Sequence, residues 1–184
     1  MASCLGLFID NNLIKYAKVS KDHDRLKVES FGVEFYEKID VAIKKVIDET
    51  YSYKTPISIN LSNETYNYFD MFALLNKKDL PKAIKTEFEA LCDDKGYNPN
   101  VFETRFALVD NPADKEKLKV IHISSNKIDL NKRVQEFEGY TLSGMYPIGM
   151  SISNLAELKP KESYLIVNIE DNTTIITVED QKVN

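Results

Sequence analysis

The sequence of 184 residues carries 24 Lys and Arg against 29 Asp and Glu, a net charge of −5, with 43% hydrophobic and 29% charged residues. That is globular composition at a length suited to one domain, or one and part of another, and it argues against wholesale disorder. The acidic balance argues against a nucleic-acid binder; two cysteines and two histidines argue against a disulfide scaffold or a zinc site.

Only 6 glycines are present, so a phosphate-cradling loop must be built around few positions or do without glycine. The apolar start, Cys4 to Ile9, is too short for a secretory core and has no basic residues before it. The longest apolar runs, such as Met71 to Leu75, fall far below a membrane span. The expectation is a cytoplasmic protein without direct membrane insertion, still able to bind a membrane protein.

Two β runs open the chain, Leu5–Ile9 and Leu13–Val19, joined by Asp10-Asn11-Asn12. Asn and Asp tolerate positive φ, so a tight hairpin is expected. A second turn at Lys21 to Asp24 leads into a strand over Leu26–Phe35. The spacing of Ile39, Ala42, Ile43, Val46 and Ile47 predicts a helix to Thr50 with one buried face, and Ile57–Leu61 reads as a short buried strand.

A further stretch holds a strand (Tyr66–Leu74), a helix (Asp79 to Lys95) and two strands (Val101–Val109, Leu118–Ser124). The helix sets Leu80, Ile84, Phe88 and Leu91 on one face, with Asp79 as expected N-cap and Gly96 as its stop; Asp110-Asn111-Pro112 breaks the strand pair. A third helix is expected over Asp129 to Glu138, with Leu130, Val134 and Phe137 inward and Gly139 at its end. A strand near Tyr140–Met145, a helix over Ser151–Leu158 and a boundary at Lys159-Pro160-Lys161-Glu162 follow. The last hairpin is Tyr164–Ile169 and Thr173–Val178, turned by Glu170-Asp171-Asn172. A lone hairpin is marginal in water, so this one must pack on the body or pair with another copy.

The last hairpin echoes the first: Leu7 to Ile14 parallels Val167 to Thr174, apolar strands around an acidic, Asn-bearing tip. Gly6-Leu7-Phe8-Ile9-Asp10-Asn11-Asn12-Leu13-Ile14-Lys15 stands where actin-like proteins of the PilM family have Gly-Ile-Asp-Ile-Gly-Ser-x-x-Val-Lys. Asp79-Leu80, Ala83-Ile84 and Glu87 match an acidic-Leu-x-x-Ala-Ile-x-x-Glu helix of that family. Leu118–Ser124, the helix to Phe137 and Gly139-Tyr140 match its next strand, helix and glycine turn. On these segments the chain resembles the PilM family of type IV pilus assembly proteins, relatives of the cell-division protein FtsA, over about the first half of such a protein.

The resemblance implies an α/β (α+β) fold: an actin-like, ribonuclease H-like first lobe with a small inserted α+β subdomain and the opening hairpin of a second lobe. The corresponding pieces are residues 1–64, 65–126, 127–158 and 163–184. It also implies a scaffold at the inner face of the cell membrane. In that family the cytoplasmic tail of the membrane protein PilN sits in a cleft between the first and inserted subdomains, and Tyr66, Tyr68, Phe69 and Phe72 are candidates to line such a groove or to pack a core. Self-association is a further expectation.

Actin-like ATPases bind phosphate through hairpin glycines, with an aspartate in each hairpin holding metal and water. Here Phe8 stands at the first Asp position and Asp10 at the Gly position; Asn168 and Glu170 replace the second pair. Carboxylates at the tips repel phosphate unless a cation intervenes. No ATP turnover and no cofactor are therefore expected. Asp10, Asn11, Asn12, Lys15, Asn172, Thr173 and Thr174 are the remnant phosphate-hairpin residues; ATP with Mg²⁺ in an FtsA-like or secretion-system switch protein is the alternative. Convergence of Asp10 with Glu170-Asp171 on a metal is weighed and set aside. His122, alternating with Ile121 and Ile123, is expected on a polar face, His23 in a turn, and Cys4 and Cys92 as inert buried thiols; no catalytic set emerges.

Overall fold

A computed structural model describes residues 2–23, 25–61, 63–76, 78–109, 116–154, 163–169, 173–179 and 182–183. The expected turns at Asp110-Asn111-Pro112 and Glu170-Asp171-Asn172, the boundary at 159–162 and the helix residues after 154 lie outside them. The chain divides into two compact units. Unit 1 is Met1–Leu61 with Leu130–Tyr146; unit 2 is Ser62–Asp129 with Pro147–Asn184.

Unit 1 is a five-stranded mixed sheet in the order β3-β2-β1-β4-β8. Its strands are β1 (Ala2–Ile9), β2 (Leu13–Asp22), β3 (Arg25–Phe35), β4 (Ile57–Asn60) and β8 (Leu142–Tyr146). The first three pair antiparallel, while β4 runs parallel to β1 and β8 parallel to β4. The period of two puts Leu5, Leu7 and Ile9 on one face, with Ile57 and Ile59 beside them. Helix α1 (Ile39–Glu49) covers that face with Ala42, Ile43, Val46 and Ile47, and Phe137 completes the core. Fully burying such side chains is worth about 1.5–3 kcal/mol each, which makes this face the main support of the unit.

Helix α1 stops without glycine. Tyr51 takes a left-handed φ of 51°, and the Ser52 N–H reaches back to the Ile47 carbonyl at 2.9 Å. Thr50 Oγ1 donates to the Val46 carbonyl at 2.7 Å and so holds the last turn. Between β2 and β3 the register slips at Lys18/Val19, where β3 carries one extra residue.

Unit 2 contains a three-stranded antiparallel sheet in the order β5-β7-β6, formed by β5 (Thr65–Phe72), β6 (Phe102–Val109) and β7 (Lys117–Asn126). Helix α2 (Leu80–Asp94) lays Leu80 and Ile84 on Met71 and Val120. It ends as expected at Gly96, φ 68°, with the Tyr97 N–H on the Cys92 carbonyl at 2.8 Å. Strands β9 (Tyr164–Ile169) and β10 (Thr173–Glu179) form the late hairpin, with β11 (Lys182–Val183) beside β10. Ile176 and Val178 are buried, with half-buried Tyr164 and Ile166 beside them, against Ile152 of helix α4 (Ile148–Ser153), so the hairpin packs on that helix.

Several local expectations are corrected. Asp79 makes no side-chain cap; the Asn76 carbonyl instead receives the Asp79 and Leu80 N–H groups, starting the turn earlier. Cys92 rather than Leu91 is buried in the last turn of α2. Helix α3 is Lys127–Gln135, not Asp129 to Glu138, and Asn126 Oδ1 accepts the Ile128 N–H at 2.8 Å. Its continuation tightens, with the Phe137 N–H on the Val134 carbonyl; this turns Phe137 into the core and leaves Val134 45% exposed. Helix α4 begins at Ile148, earlier than expected, directly after extended Pro147 at its N-cap.

Candidate functional site

The first hairpin tip lies between β1 and β2. The Asp10 N–H donates to the Leu13 carbonyl at 3.0 Å, closing a two-residue loop over Asn11 and Asn12. No residue of this tip has positive φ, contrary to the expected use of Asn and Asp. The Asp10 carboxylate accepts the Asn11 N–H at 2.7 Å. Two tip N–H groups therefore bond within the loop, and a carboxylate occupies the position from which a phosphate would receive one of them.

The underside of the tip is braced. Tyr36 Oη donates to the Asp10 carbonyl, and the Tyr36 N–H to the Asn12 carbonyl at 2.9 Å. The Asn60 carboxamide accepts the Ile9 N–H at 2.7 Å and donates to the Ile9 and Leu61 carbonyls, each at 3.1 Å. Lys15 stands opposite Phe8, its Nζ 5.3 Å from the ring centroid. Phe8, at the family's Asp position, supplies an aromatic face rather than a metal ligand. The tip is a rigid turn that presents acid and carbonyl oxygen.

The second hairpin belongs to the other unit. Thr173 pairs with Ile169 and Thr174 with Asn168 at its mouth. Asn172 lies outside the described residues, as do Glu170 and Asp171. Among the described residues no group of three or more His, Cys, Asp and Glu could hold a metal ion.

His122 corrects a second expectation. It does face opposite to Ile121, but that face is buried: the ring is 2% exposed, 4.4 Å from the Phe88 ring and 5.5 Å from Phe69. Burial pushes its pKa down, and its Nδ1 has no hydrogen-bond partner. Cys92 is buried, and that burial raises its thiol pKa and keeps it protonated. Cys4 is half-buried, its Sγ 3.3 Å from Ser58 Oγ.

One half-buried polar cluster escaped sequence reasoning. Glu64 Oε1 accepts the Tyr66 hydroxyl at 3.0 Å and the Ile148 N–H at 2.9 Å, and Tyr66 Oη accepts the Gly149 N–H at 3.2 Å. The pair ties β5 to the start of α4. Desolvation raises the Glu64 pKa although both hydrogen bonds oppose it. No motif marks such a pair; Glu64 stands just before β5 and Tyr66 within it, and the i, i+2 spacing of acid and tyrosine is the available signal.

The aromatic strand divides by face. Phe69 and Met71 pack under α2, whereas Tyr68 and Phe72 are 74% and 72% exposed on edge strand β5. An open depression of about 250 Å³ in unit 1 is lined by Phe35, Tyr36, Val41 and Ala42 with Glu34, Glu37, Lys38 and Lys45, and its charges balance. Among the described residues no helix is long and apolar enough to cross a membrane.

No protein-family model and no curated protein matches the chain. Solved structures do. The chain is similar to the PilM-PilN type IV pilus biogenesis complex, with a TM-score of 0.77 and 14% identity over 98% of this chain and 59% of that one. A protein with actin-like ATPase fold and unknown function from Bacteroides thetaiotaomicron aligns more loosely, with a TM-score of 0.45 and 9% identity over 98% of this chain and 67% of that one. The Aquifex aeolicus Ppx/GppA phosphatase gives 0.40 and 11% over 100% and 50%. The chain therefore shares the α/β fold of the structure it matches at 0.77, built on the mixed sheet, and spans 59% of that structure's length.

Proposed function

We propose that this chain is a non-catalytic scaffold of a type IV pilus assembly platform, PilM-like, which binds the cytoplasmic tail of a PilN-like membrane protein. The carrying observation is the first hairpin tip. In an actin-like fold it lacks glycine, and the Asp10 carboxylate takes the Asn11 N–H that a phosphate would use. The likeness to the PilM-PilN complex supports the choice of partner. The exposed Tyr68 and Phe72 on edge strand β5 offer apolar anchors of the kind an extended peptide uses. Such a scaffold works at the cytoplasmic face of the membrane, held there by its partner, and needs no cofactor.

Calorimetric titration tests this. A synthetic PilN-like tail peptide is expected to give saturable heat, and Mg-ATP none, in the same buffer. Saturable Mg-ATP binding that Asp10→Ala abolishes overturns the reading and favours a nucleotide switch whose tip works through a cation. Silence with the peptide overturns the partner assignment.

A further inference from the structure

Strand β3 is eleven residues long and sits at the end of the unit 1 sheet, its outer edge unpaired among the described residues. It also carries five exposed apolar side chains: Leu26, Val28, Phe31, Val33 and Phe35, 51–79% accessible. Strict alternation would put Leu26 and Val28 on the opposite face from the other three. The bulge prevents that. Leu26 and Val28 pair with Lys21 and Val19, while Phe31, Val33 and Phe35 pair with Ala17, Lys15 and Leu13. All these β2 partners are odd-numbered, so the five apolar residues share one face, away from the core under α1. A long edge with such a face is an association site unless its charges repel a second strand.

Here the charges do the reverse. We infer that two copies of this chain pair antiparallel along β3, about a two-fold axis at Phe31, which meets its own copy. In that register Leu26 meets Phe35, Lys27 meets Glu34 and Val28 meets Val33, each pair occurring twice. The bulge makes face and edge agree: the two members of each pair lie on the same side of the sheet and alternate in step along the strand. Ser30 meets Gly32, which has no side chain to crowd it, and the extra residue Glu29 stays out of register in each strand. No like charges stand opposite each other. A shift that sets Arg25 against Glu34 leaves Phe35 beyond the end of the partner's β3, outside the apolar row. Such an isologous contact closes at a dimer and joins two five-stranded sheets into one of ten.

Lys27 is exposed, whereas the Glu34 side chain is 18% accessible and paired with Lys45 at 2.7 Å, so Lys27→Glu is the reversal that leaves the core untouched. Sedimentation equilibrium of the 184-residue chain, with circular dichroism as the folding control, tests the pairing. The wild type is expected to dimerise with rising concentration. Lys27→Glu and Glu34→Lys are each expected to weaken dimerisation by about tenfold or more. An equimolar mixture of the two variants is expected to recover it, because each strand then meets its opposite charge. A wild type that stays monomeric overturns the inference, as do variants that dimerise unchanged. So does a mixture that fails to recover, or a loss confined to Glu34→Lys.

Discussion

The imidazole of His122 and the ring of Phe88 lie 4.4 Å apart between centroids, tilted by 34°. The contact fixes α2 on β7 and costs the protein a buried titratable group. Its only resolved perturbation is desolvation, which lowers the pKa. The unfolded chain protonates near the ordinary value of about 6.5, while the folded chain resists until lower pH. Below about pH 6.5 the unfolded state thus binds more protons, and stability falls as pH drops. Urea midpoints taken from about pH 7.5 to about pH 5.5 should show this loss, and His122→Leu should flatten it. A His122→Leu variant whose midpoint changes with pH as the wild type's does would contradict the assignment.

Glu64 has the opposite sign. Its pKa is raised by burial, so the folded state keeps a proton that the unfolded state releases. Stability is greatest below the ordinary carboxylate range and declines as pH rises through the raised value. Glu64→Gln keeps an acceptor for Tyr66 Oη and the Ile148 N–H without the charge. At neutral pH it should be at least as stable as wild type, with the difference vanishing below about pH 4.5. Glu64→Ala should lose about 1–3 kcal/mol, because the Ile148 N–H is left half-buried without a partner.

The sheet of unit 1 was legible because its strands are half-covered: Leu5, Leu7 and Ile9 alternate cleanly with residues that face away from α1. Helix α1 was legible from its single buried stripe. His122 was not, because β7 is the central strand, and alternation separates two faces without saying that α2 covers the polar-looking one. The absence of glycine at the first tip was readable; that Asp10 would bond its own neighbour's N–H was not, since it depends on a rotamer. The exposed row on β3 was hidden for a different reason. A bulge changes which residues share a face, and no residue type in the stretch announces it.

Helix ends show the same limit, and one of them can be tested. Two helices stop in the same way, each with a left-handed residue followed by an N–H reaching back to the third-last helical carbonyl. One uses Gly96, the other Tyr51, whose φ of 51° places its Cβ against the following carbonyl. Tyr51 is 80% exposed, so its side chain adds little packing. Tyr51→Gly should therefore stabilise the protein by about 1 kcal/mol, read as a rise in thermal midpoint. A fall would mean that the ring, not the backbone, decides this position.

Asn60 offers the sharpest test of the braced hairpin. Its carboxamide accepts from the Ile9 N–H and donates to two carbonyls, so one side chain serves three backbone groups next to the tip. Asn60→Ala strips all three of partners and should cost roughly 2 kcal/mol or more. Asn60→Asp keeps the acceptor for Ile9 N–H but sets a carboxylate against the Ile9 and Leu61 carbonyls. At neutral pH it should be the less stable of the two variants, since like partial charges then replace two hydrogen bonds. Lowering the pH restores a donor, so the aspartate variant should recover relative to alanine in acid. Chemical unfolding of both variants at two pH values decides the matter. An aspartate variant as stable as wild type at neutral pH would show that the two carbonyls are served by water and that the brace is weaker than its geometry implies.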